Sequence, residues 1–66
     1  MIRLIDVLKV LPYDKNLRII DYDSEATLYN GTYTFMPTET LIKLSDKKVL
    51  LVNTTETGSD MYIYVL

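Results

Sequence analysis

The sequence predicts a small α+β domain in which two short helices and four strands follow one another as α-β-β-α-β-β, the strands joined in one mainly antiparallel sheet. Three observations lead there. Apolar residues recur at helical spacing near the N-terminus, and Pro37 with Glu39 marks the start of a second helix. Four segments rich in β-branched and aromatic residues fill most of the remaining chain. With 66 residues there is room for a single domain, residues 1–66, and no second.

Leu4, Val7, Leu8 and Leu11 stand at i, i+3, i+4 and i+7, one apolar helical stripe widened by Ile5 and Val10. Asp6 lies toward its start and Lys9 toward its end, the signs the helix dipole prefers. Pro12 disfavours helix at Leu11, so the first helix is expected over residues 4–11, with a polar connector over 13–16. A first strand follows over 16–22, β-branched at Ile19 and Ile20. Asp23, Ser24 and Glu25 supply a turn, because Asp and Ser side chains bond nearby backbone groups.

The second strand is expected over 26–34. It contains Asn30-Gly31, a typical two-residue hairpin turn, but a turn there leaves little strand before Pro37. A bulge at Gly31 is the preferred reading, with the hairpin as the alternative. Pro37 opens a second helix reaching Leu44, with Glu39 in its first turn. Residues 47–54 form the third strand, 55–59 a turn, and 60–66 the last strand. Helix–strand–strand thus occurs twice, which raises the idea of an internal duplication.

Composition narrows the chemistry. No Cys and no His are present, which removes disulfides and almost every zinc, haem or iron–sulfur site. A chain near 60 residues buries only about 60% of its unfolded surface, so oligomerisation is the remaining route to extra stability. Net charge is −2, too mild for non-specific DNA binding. Apolar runs such as Val49 to Val52 fall far short of a membrane span, and Asp6 interrupts any signal-peptide core, so a cytoplasmic location is expected.

The strands carry apolar or aromatic residues on both faces. Leu17 and Ile19 oppose Arg18, Ile20 and Tyr22; Val49 and Leu51 oppose Leu50 and Val52; Met61, Ile63 and Val65 oppose Tyr62, Tyr64 and Leu66. Two helices cover only one face of such a sheet. The other would expose Ile20, Leu50, Val52, Tyr62 and Tyr64, which are therefore the expected oligomer interface, through a homodimer or a larger assembly. A strongly curled sheet with its own two-sided core is the alternative.

Catalysis is not expected, since no His or Cys can serve as base or nucleophile and the serines lie in turns without an activating partner. Asp21, Asp23 and Glu25 alternate and so raise the idea of a hard-cation site, but they lack the further oxygens a calcium loop needs. Gly31 and Gly58 are too far apart for a phosphate loop. No metal or cofactor is expected.

Six tyrosines and one Phe are many for this length. Tyr suits stacking on a base or anchoring a protein partner, and Arg suits bidentate phosphate contact. Tyr29 and Tyr33 share one face of the second strand. Arg18, Tyr22, Tyr29, Tyr33 and Lys48 are accordingly the candidate ligand-binding residues, with Arg and Lys on phosphate and Tyr on base.

Leu4-Ile5-Asp6-Val7-Leu8 with Leu11-Pro12, then Leu17-Arg18-Ile19-Ile20-Asp21, Leu28-Tyr29-Asn30-Gly31-Thr32 and an apolar closing strand, resembles short proteins of bacteriophages and prophages of Gram-positive bacteria. The resemblance spans most of the chain and brings no catalytic motif, so no functional residue is carried over. It implies a small non-enzymatic accessory protein acting in the host cytoplasm. Such proteins often counter host defence by sequestering a nucleotide immune signal or by binding a defence protein such as a CRISPR nuclease. The leading expectation is a homo-oligomeric nucleotide-capturing protein; the alternatives are a protein inhibitor of a host nuclease and a structural or regulatory protein without a ligand.

Overall fold

The computed structural model describes residues 2–11 and 14–66, and its elements run α1 (Leu4–Leu8), β1 (Asn16–Asp21), β2 (Thr27–Thr32), α2 (Thr38–Leu44), β3 (Val49–Thr54) and β4 (Asp60–Val65). The element order is the expected one. Pro12, the expected stop of the first helix, and Tyr13 lie outside the described residues. α1 already ends at Leu8: the Lys9 N–H bonds Ile5 O, and the Val10 N–H turns to Val7 O, a tighter closing turn. The helix is anchored at its start. The Arg3 N–H donates to Asp6 Oδ2 at 3.2 Å while Leu4 and Ile5 donate to the carbonyls of Lys47 and Ser45, the segment that follows α2.

The strands form one sheet in the order β2-β1-β4-β3. β1–β2 and β3–β4 are antiparallel hairpins, and the two central strands, β1 and β4, run parallel. The sheet is therefore mixed, antiparallel in two of its three pairings. This order also argues against the duplication: the inner strand is the first of one hairpin and the second of the other.

Alternation along the central strands decides the layers. Leu17, Ile19, Ile63 and Val65 are wholly buried and meet Leu4 and Leu8 of α1 and Leu44 of α2. Arg18, Ile20, Tyr62 and Tyr64 therefore point to the opposite face, which no element of the described chain covers. The helices cover one face, and the sheet does not curl into a two-sided core.

Two bulges adjust the edge strands. The β1–β2 register slips between Ile19 and Ile20, so that Ile19 faces Tyr29 and Ile20 faces Thr27, with Leu28 as the extra residue. Asn30 and Gly31 simply pair with Arg18 and Leu17, so the hairpin alternative fails and the expected bulge lies at Leu28 rather than Gly31. The β3–β4 register slips between Val49 and Leu51, with Leu50 extra. The shift reverses parity beyond Leu50. Leu51 falls opposite Tyr64 on the open face and Val52 opposite Ile63 on the helix-covered side.

The turns are built from their own side chains. Asp21 Oδ2 accepts from the Ser24 N–H at 3.0 Å and from Ser24 Oγ at 2.7 Å, and Glu25 closes that turn at φ 61°. These two hydrogen bonds, the side-chain one first, hold the Asp21 carboxyl below its ordinary value. Among the described residues no three acidic, His or Cys side chains come together. Gly58 stands at φ 71° between β3 and β4, a backbone region open to Gly at no steric cost, and Lys15 Nζ donates to its carbonyl. Among the described residues no helix is long and apolar enough to cross a membrane.

Candidate functional site on the open sheet face

The open face places side chains of three strands side by side. From β1 come Asn16 and Arg18, from β2 Asn30, and from β4 Asp60 and Tyr62. Together they line a shallow concavity of about 250 Å³. Register explains the grouping: Arg18 lies between Asn30 on one neighbour and Tyr62 on the other, and Asn16 lies beside Asp60. Asn16 Nδ2 donates to Asn30 Oδ1 at 3.1 Å, which fixes both amides at the rim.

Arg18 is the electrostatic centre. Its guanidinium carbon stands 6.0 Å from the Tyr62 ring centroid, at the outer limit of a cation–π contact. Among the described residues it forms no ion pair; the two ion pairs present belong to Arg3, with Asp6 and Asp46. Its five N–H donors are thus available to an anion. Asp60 adds one acceptor across the same concavity. The arrangement combines one cation, one carboxylate, two amides and one aromatic face. It suits a ligand with a single anionic group, hydroxyl or amino donors, and a flat ring.

The sequence-based candidates separate on this geometry. Arg18 is at the centre. Tyr22 shares its parity and continues the β1–β4 ladder, its N–H bonding Val65 O at 2.8 Å, but it sits four residues on, about 13 Å along the strand. Tyr29 is on the other face: it stands opposite the buried Ile19 and folds over Gly31, with its Oη donating to Thr32 O at 2.6 Å. Desolvation there raises the Tyr29 phenol above its ordinary value. Tyr33 follows β2 and packs against the core. Lys48 lies at the far end of the sheet, where its carbonyl accepts from the Leu66 N–H. Tyr29, Tyr33 and Lys48 are therefore not part of the concavity.

The expected interface residues divide as well. Ile20, Tyr62 and Tyr64 occupy the open face; Leu50 is the bulge residue and Val52 is on the helix side. Asn16, Asn30 and Asp60 were not among the sequence candidates. Their signal is weak, because a polar residue at a strand end reads as ordinary surface until the neighbouring strands are known. Comparison with known protein families, with curated proteins and with solved structures finds no match.

Proposed function

We propose that this chain is a non-catalytic binding protein that captures a small nucleotide-derived ligand on its open sheet face. The observation that carries the reading is the ion-pair-free Arg18 beside the Tyr62 ring in a polar concavity at one end of the uncovered sheet face, among the described residues. Arg18 takes the phosphate, Tyr62 stacks on the base, and the Asn16–Asn30 amide pair meets the base edge. Asp60 accepts from ribose hydroxyls and disfavours a second phosphate by like-charge repulsion. The concavity falls below the range of about 300–1,000 Å³ that encloses drug-sized ligands, so the reading specifies a mononucleotide bound in part by each chain of an assembly. In the phage setting that the sequence resemblance implies, capture would withdraw an immune signal from the host.

A second reading is docking of a host protein on the same face. Ile20, Leu51 and Tyr64 favour it, because they extend the face with apolar area beyond the polar concavity. Thermal melting separates the two. Ligand at about 100 times Kd adds about 2.7 kcal/mol of stability, and each kcal/mol moves the Tm of a domain this size by about 4–8 °C. A cyclic or linear mononucleotide is therefore expected to raise Tm by more than about 10 °C, and Arg18→Ala to abolish the rise. No shift with any nucleotide would refute the capture reading, and co-purification with a host protein would then favour docking.

A further inference from the structure

We propose that the open sheet face takes a single-stranded oligonucleotide of about three residues, its bases stacked on Tyr62, Tyr64 and Tyr22 and its backbone held by Arg18 at one end and Lys48 at the other. The inference rests on the nucleotide reading of the concavity and extends that ligand along the same face.

Strand register sets out the track. Arg18 pairs with Tyr62 and Ile20 with Tyr64, and the Tyr22 N–H carries the β1–β4 ladder one step further to Val65 O. Ile19, Ile63 and Val65 are wholly buried on the helix-covered side, so by alternation Tyr62, Tyr64 and Tyr22 all belong to the open face. Two residues of strand separate Tyr62 from Tyr64 by about 6.8 Å. Tyr22 lies one strand over and two residues further along, about 8 Å from Tyr64. The three rings thus follow one another at nearly even steps.

Lys48 closes the far end. Its carbonyl accepts from the Leu66 N–H, so it stands across from Leu66, and its neighbour Val49 packs against the core. Alternation therefore gives Lys48 to the open face, where it is exposed at the level of Tyr22. Four residues along the sheet and two strands across, Arg18 and Lys48 lie about 16 Å apart. Among the described residues neither forms an ion pair; Arg3, which bridges Lys48, is taken up by Asp6 and Asp46.

This arrangement selects a nucleic-acid strand over a protein partner. Binders of single strands combine aromatic rings, on which successive bases stack, with cations that meet the backbone. A four-stranded sheet open on one face holds two or three bases in this way. An unstacked strand spaces its phosphates at about twice the 3.4 Å of a duplex strand, so two steps, about 14 Å, bring the first and third phosphates of a trimer within reach of the two cations. A protein surface has no such repeat of charge and ring. With a net charge of −2, and Asp60 just beyond Arg18, the chain does not favour a longer strand.

The test titrates adenosine 5′-monophosphate and the linear 5′-phosphorylated adenylate dimer and trimer into the full chain by calorimetry at low salt. Each added base is expected to tighten binding about tenfold, so that the trimer binds about a hundredfold tighter than the monomer. Tyr22→Ala is expected to return the trimer to the dimer's affinity, and Tyr22→Phe to retain the full gain. Lys48→Ala is expected to weaken the trimer and lessen its salt dependence. Both positions are exposed and outside the concavity, so the helical and sheet spectrum and the monomer's affinity are expected to stay unchanged. Equal affinity for all three ligands, or a trimer indifferent to Tyr22→Ala and Lys48→Ala, would overturn this inference and leave monomer capture standing. Binding of none of the three would overturn both and give the face to a protein partner.

Discussion

Gly31→Ala tests the placement of Tyr29, which the sequence offers as a ligand residue and the structure turns toward the core. A Cβ on Gly31 would lie 2.8 Å from Tyr29 Oη and 3.2 Å from Cζ, where ordinary contacts begin near 3.4 Å. The ring must retreat by about half an ångström. It is tethered, because Oη donates to Thr32 O at 2.6 Å and the ring packs against the core. Losing that hydrogen bond costs about 0.5–1.5 kcal/mol, and overpacking brings the ring's share of the cost to about 1–3 kcal/mol. That is a large share of the roughly 3–10 kcal/mol expected for a domain of this length. Urea unfolding of the wild type, Gly31→Ala, Tyr29→Ala and the double variant isolates the ring's contribution, since any backbone cost at residue 31 is common to both backgrounds. The account predicts a coupling of at least about 1 kcal/mol, with Gly31→Ala cheaper by that amount once the ring is gone. Equal costs in the two backgrounds would refute the packing of Tyr29 over Gly31.

Other expectations follow from single positions. Thr32 Oγ1 is buried without a partner, and such orphans cost about 1–3 kcal/mol, so Thr32→Val is expected to raise the urea midpoint. Asp21 has a lowered folded pKa, so its contribution is present above the unfolded value of 3.8 and is lost as pH falls through the folded value. Asp21→Asn should flatten the loss of Tm below that pH, and an unchanged acid limb would contradict the Ser24 contacts. In an ultraviolet titration Tyr29 is expected to ionise above the ordinary tyrosine value, and Tyr29→Phe to remove that late step.

The helices and central strands were legible because local rules govern them. The stripe of Leu4, Val7 and Leu8, Pro37 before Thr38, and the alternation of Leu17 and Ile19 all express one element's own period. The bulges at Leu28 and Leu50 were not legible, because a bulge is a relation between two strands and leaves no trace in either alone. That blind spot propagated. One extra residue at Leu50 exchanged the faces of Leu51 and Val52. At Tyr29, by contrast, the face itself was undetermined, because parity gives two faces without saying which one the helices cover. The candidate site shows the same limit. Arg18 could be singled out from its own strand, but Asn16, Asn30 and Asp60 join it only through the order β2-β1-β4, set by the parallel pairing of β1 with β4.

Amide chemical-shift mapping during titration with a mononucleotide addresses the binding proposal most directly. The account predicts saturable shifts centred on Asn16, Arg18, Asn30, Asp60 and Tyr62, with Tyr33 and the helices unmoved, and their loss in Arg18→Ala. Shifts centred instead on Tyr22, Lys48 or the helical layer, or none at all, would contradict it.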